Sequence, residues 1–147
     1  MIVTIDPGAS GGIVLGYPDL VTIPMPKTDG DIEVTLRPGF DEPYIAYLEQ
    51  LVKYTGRNMP SSSMAVYASN WGFLKGVLTA HKYRIILVPP KKWQSALGLG
   101  SATGLTKTEW KNKLKNMAQQ LYPNLSVTLS TADAILIYEA AKRGALG

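Results

Sequence analysis

The chain contains no cysteine and one histidine, His81. The first absence excludes disulfide frameworks, thiolate metal sites and cysteine nucleophiles. The second excludes a zinc site with two histidines and leaves little room for a Ser-His-Asp triad. No apolar run approaches the length needed to cross a bilayer, and no basic segment precedes an apolar stretch at the N-terminus. A soluble, intracellular protein is expected, with no membrane partner. Acidic residues are the scarcer charge, 11 against 15 lysines and arginines, which leaves a formal net charge of +4. That balance leans toward an acidic partner, nucleic acid first, although charge alone also fits many proteins that bind none. A length of 147 residues fits one domain, 1–147, with a core of its own. No repeat, low-complexity tract or linker divides it.

What is present alternates between strand and helix patterns. Residues 1–6, 12–16 and 20–25 read as a meander of three strands, with a turn at Tyr17-Pro18-Asp19. Residues 27–43 are polar and rich in Gly and Pro, and read as loop with at most a short helix. Residues 44–52 (YIAYLEQLV) fit either a helix or a buried strand by pattern alone. Ser61-Ser62-Ser63 offers a cap for a helix over 64–81, with Gly72 and Gly76 on one face. Residues 83–88 read as a strand stopped by Pro89-Pro90. A basic amphipathic helix spans 107–121 and ends at Tyr122-Pro123. A last helix runs from about Thr131 to Arg143. The order predicts an α/β fold, a mixed sheet with helices on its faces.

Two carboxylates stand out. Period 2 puts Ile2, Thr4 and Asp6 on one face of the first strand, with Asp6 at its C-terminal end. Pro7 and Gly8 turn the chain there. The Asp-Pro-Gly turn either simply ends the strand or opens backbone room for a phosphate. A nucleotide-binding glycine loop is disfavoured, because no helix follows and no Gly-Lys-Ser/Thr is present. Asp133 lies in "LSTADAILIYEAAKR", a helix apolar nearly all round and therefore buried. A buried carboxylate needs a partner or a metal. Ser130-Thr131-Ala132-Asp133 also has the form of a capping box, in which Asp133 would serve the helix N-terminus.

Taken together, "IDPGASGGIV", "YLEQ", "SMAVYASNWGFLKG", "VPPKKWQ", "LTKTEWKNKLKNMAQQLYP" and "ADAILIYEAAKR" resemble, in order and spacing, the motifs of the RuvC-type Holliday-junction resolvases. The resemblance covers most of the chain. It implies a ribonuclease-H-like fold with a five-stranded mixed sheet flanked by helices, and reads residues 44–52 as strand. It implies a Mg²⁺-dependent crossover junction endonuclease, with Mn²⁺ able to substitute, that nicks two strands of a four-way junction and leaves 5′-phosphates. The family's glutamate falls on Glu49 and its last acidic motif on Asp133. With Asp6 they form the expected catalytic and metal-binding set, Asp6 bridging two ions. Two such ions, about 4 Å apart, suffice for phosphodiester hydrolysis without cysteine or histidine. A homodimer is expected, since a four-way junction has two-fold symmetry, with the Gly72/Gly76 face as its contact. The expected setting is the cytoplasm of a bacterial or phage-infected cell.

The chain departs from the family in three places. The helix between the third and fourth strands is missing or short. A fourth acidic residue or histidine, three positions before the last aspartate, is Ser130 here, carried as a weak further ligand. An aromatic wedge three residues after the glutamate is Val52, with Tyr54 its nearest substitute. Lys107, Lys111 and Lys115 recur along one helix edge, and Lys91 and Lys92 follow the fifth strand; with Tyr54 they are the candidate DNA contacts. A solvated helix face is the alternative for the lysines. Trp71, Trp93 and Trp110 read as core or helix anchors ahead of base stacking, and His81 as a surface residue without a partner. Besides the nuclease, a junction-binding scaffold that has lost catalysis stays open, suggested by Ser130. A sugar- or acetate-kinase-type ATPase shares an "IDPG"-like motif but needs a second lobe for which the chain is too short.

Overall fold

The computed structural model describes residues 1–16, 19–39, 43–51 and 61–147. Among them, β1 (Ile2–Asp6), β2 (Gly12–Gly16), β3 (Leu20–Pro24), β4 (Ile45–Glu49) and β5 (Arg84–Val88) form one five-stranded sheet in the order β3-β2-β1-β4-β5. The first three strands are an antiparallel meander, and β4 and β5 add in parallel beyond β1. The helices are α1 (Asp29–Leu36), α2 (Ser61–Ala80), α3 (Pro90–Ala96), α4 (Lys107–Leu121) and α5 (Ala132–Lys142).

Strand alternation divides the core in two. Val3 and Ile5 of β1, with Ala46 and Leu48 of β4, face Ile32 and Leu36 of α1 and Leu74, Val77 and Leu78 of α2. Ile2, Thr4 and Asp6, with Ile45, Tyr47 and Glu49, take the opposite parity. That face is covered by α5, packed in turn on Leu114 and Ala118 of α4. α5 is apolar nearly all round because it is pressed between sheet and α4. It is pinned at a polar point as well: Thr4 Oγ1 donates to the Ala134 carbonyl oxygen at 2.7 Å in the interior. Gly12 lets it lie close, since a Cβ there would stand 2.6 Å from the Ser130 carbonyl oxygen and 3.2 Å from Thr131 Cα.

Several local expectations are corrected. Residues 27–43, read as loop with at most a short helix, hold the eight-residue α1, started by Thr28, whose Oγ1 accepts from the Asp31 N–H at 3.1 Å. The exit from β5 is a helix too, because Pro90 stands at the first helical position, where a missing N–H costs nothing. The capping box sits at α4, not α5: Thr106 and Glu109 bond each other's main-chain N–H groups. Thr131 caps α5 by position only, its hydroxyl being engaged with Thr128. His81 has a partner, Glu33, at 2.9 Å. Gly72 and Gly76 do not pack α2 on its sheet; both are exposed, with nothing near a Cβ built there. Val52 and Tyr54 lie outside the described residues.

Candidate active site

β1 and β4 run parallel with Ile5 beside Leu48. The residues that follow, Asp6 and Glu49, therefore leave the same sheet edge on the same face. α5 begins over that edge and brings Asp133 in its first turn. Three carboxylates from three elements distant in sequence thus meet at the C-terminal end of the parallel strands.

Their electrostatics follow from the crowding. Asp6 is held well above the usual carboxylate range, by burial first and then by the charges of Asp133 and Glu49, with Lys111 opposing. Burial pushes Glu49 up to about 7, against the Trp93 N–H, with Asp133 adding to the rise. Burial takes Asp133 to about 6, with Lys111 again opposing. Among the described residues no ion pair joins any of the three to a cation.

Two cavities open here. One, of about 510 Å³, is lined by Asp6, Asp133, the Pro7–Gly11 turn, Ser62, Ser63, Val66, Tyr67, Lys107 and Lys111. The other, of about 320 Å³, is lined by Glu49, Asp133, Trp93, Trp110, Lys107 and Lys111 among others. Asp133 lines both cavities. The donors are all oxygens and their excess negative charge meets few cations, which suits a hard divalent ion. Among the described residues no three His, Cys, Asp or Glu side chains are grouped closely enough to hold a single ion. Each of the three carboxylates nevertheless feels another's charge: Asp6 that of Asp133 and Glu49, and Glu49 that of Asp133.

The other expected site residues divide. Lys107 and Lys111 line both cavities. Lys91 is exposed on α3, Lys92 Nζ donates to the Leu146 carbonyl oxygen at 3.4 Å, and Lys115 is half-buried one turn further along α4; none of these three lines either cavity. Ser130 is not brought into the group: it lies in the turn ahead of α5, so it shares no helical face with Asp133.

The structure adds four residues that local patterns did not reveal as site residues. Trp93 Nε1 donates to Glu49 Oε2 at 2.9 Å, and Trp71 Nε1 to the Glu49 carbonyl oxygen at 2.9 Å. Asn70 Oδ1 accepts from the Gly8 N–H at 2.6 Å. That amide is therefore spent on the protein, while the Pro7–Gly11 turn still borders the open cavity. Gly8 itself has φ +102°, a conformation glycine adopts freely, and a Cβ there would meet the Tyr67 ring at 3.1 Å. Burial and the charges of Glu49 and Asp6 keep the Tyr67 phenol protonated across the ordinary pH range. Tyr67, Asn70 and Trp71 continue the helical face that Leu74 and Leu78 bury, and this turn from apolar to polar was the readable signal.

A meander joined to two parallel strands, helices on both faces and acidic residues at the open edge define a ribonuclease-H-like fold. The comparison with solved structures agrees. The chain is similar to RuvC from Thermus thermophilus, with a TM-score of 0.50, 16% identity, and 98% of this chain and 96% of that one covered. It is equally similar to Thermus thermophilus RuvC in complex with a Holliday junction substrate, with a TM-score of 0.51 at the same identity and coverage. No protein-family model and no curated protein matches the chain. At this identity the likeness is one of fold.

Proposed function

We propose that the chain is a structure-specific endonuclease that hydrolyses phosphodiesters of four-way or other branched DNA with Mg²⁺. The observation that carries the reading is the meeting of Asp6, Glu49 and Asp133 at one sheet edge, with Lys107 and Lys111 lining the same two cavities. The fold shared with a RuvC solved on a Holliday junction supports the choice of substrate. Asp6, Glu49 and Asp133 would hold the ions. When bound, Mg²⁺ supplies Lewis acidity to the attacking water, the phosphate and the leaving oxygen. Lys107 and Lys111 hold backbone phosphate in place. The protonated Tyr67 phenol offers a neutral O–H donor to a phosphate oxygen beside the Gly8 turn.

The test is cleavage of an end-labelled four-way junction on addition of Mg²⁺ or Mn²⁺. Asp6→Asn should lose cutting and keep binding; full activity in that variant would sink the site assignment. A second reading, a scaffold that binds junctions without cutting, is favoured by the lack, among the described residues, of three acidic side chains grouped closely enough to hold one ion. Binding without cleavage by the wild type in either metal would establish it. We further propose a two-fold dimer that presents two sites to the junction's two strands. The open Gly72/Gly76 face of α2 is its candidate contact. A monomer in sedimentation with junction bound would count against it.

A further inference from the structure

Glu49 is gripped at both of its polar ends. Its main-chain carbonyl oxygen accepts from Trp71, and its carboxylate Oε2 from Trp93. Trp93 is 1% exposed and locked in the core on the α5 side of the sheet. Its position is dictated by the chain. Glu49 pairs with Val88 at the end of β5, and the Gln50 N–H donates to the Val88 carbonyl oxygen at 2.8 Å. α3 then begins at once, with Pro90 first, so its opening turn brings Trp93 back beside Glu49.

The kind of donor matters. A lysine or arginine here would also hold the carboxylate, but would cancel its charge. An indole N–H is a single neutral donor with no acceptor. It fixes the orientation of Oε2 and leaves Oε1 and the whole negative charge to other partners. Trp93 therefore restrains Glu49 without competing for the charge that a cation needs.

We propose that Trp93 is a positioning residue that orients the Glu49 carboxylate toward a divalent cation, a role that rests on the metal-dependent reading above. Groups that hydrogen-bond metal ligands typically account for about 10–100-fold in affinity or activity. The test uses the DNA-free protein and Mn²⁺ alone, following the thermal stabilisation as metal is titrated. Trp93→Phe removes the N–H and keeps an aromatic ring. Replacing Trp93 with benzothienylalanine removes the N–H and keeps the indole shape, so it decides the matter if Trp93→Phe fails to fold. In either variant the Mn²⁺ midpoint should rise by about 10–100-fold, with junction binding in EDTA unchanged. In a Glu49→Gln background the same change should cost nothing further, because Trp93 acts through that carboxylate. An unmoved midpoint, or losses that multiply in the double variant, would overturn the proposal. If the wild type cuts no DNA but the Mn²⁺ midpoint still depends on Trp93 through Glu49, the nuclease reading falls and the positioning role stands. No response of the wild type to Mn²⁺ would overturn both.

Discussion

Glu49→Gln should stabilise the metal-free protein, by an amount that grows from about pH 4.5 and is complete near pH 7. The carboxyl is raised from an ordinary 4.5 to about 7, by burial first and by the Asp133 charge in addition. The folded state thus holds this proton more tightly than the unfolded chain does. Between about pH 4.5 and 7 the folded form binds more protons, so stability falls as pH rises through that window. At about 1.4 kcal/mol per pH unit, keeping Glu49 ionised in the fold costs about 3 kcal/mol above pH 7. The coupling to Asp133 shares part of that cost between two groups, so about 2–3 kcal/mol is expected to return on neutralisation. Glutamine keeps an oxygen for the Trp93 N–H and carries no charge. For a chain of this size the gain corresponds to roughly 5–10 °C in Tm. Thermal melts of both proteins in EDTA from pH 4 to pH 8 measure it directly. The two should coincide near pH 4 and diverge through pH 7. An offset of equal size at both ends, or none at pH 8, would refute the electrostatic account of the site. Mg²⁺ should narrow the gap at pH 8 by stabilising the wild type more than the variant.

Gly12→Ala should destabilise the fold by about 2 kcal/mol or more, because the new methyl meets main chain at Ser130 and Thr131; urea unfolding reads the loss, and a neutral outcome would mean that α5 can lift off β2 at no cost. Replacing Lys107 and Lys111 together by glutamine should weaken junction binding and flatten its dependence on log salt by about two. An unchanged slope would make both lysines a merely solvated edge. Lys91→Gln, by contrast, should leave that slope closer to the wild type, since Lys91 lines neither carboxylate cavity.

Legibility followed distance along the chain. β2 and α4 are found at the boundaries expected, because turn residues, capping groups and prolines act locally. α1 was harder: its buried face is only Ile32 and Leu36, too short a stripe to show a period amid Gly and Pro. α3 was hidden by Pro89-Pro90, which ends a strand and opens a helix with the same chemistry. The residues Asp6, Glu49 and Asp133 were named from motif order, and the structure brings them to one edge. Their partners were out of reach. No periodicity links Trp93 to Glu49, 44 residues apart, or His81 to Glu33, 48 apart. Such pairs exist only once β4 and β5 align or α1 packs on α2. Ser130 failed for a related reason, since counting three residues back from Asp133 presumes a helix that begins only at Ala132.

The placing of the tryptophans gives the site an optical property. Trp93 and Trp110 line the cavity that holds Glu49, and Trp71 touches the same residue's main chain. These are all the tryptophans the chain has. Indole emission responds to what its N–H touches and to nearby charge. A proton or a cation arriving at the Glu49 carboxylate therefore alters the environment of Trp93, whose N–H that carboxylate accepts. The unlabelled protein reports the charge state of its own carboxylate cluster as light, before any DNA is added.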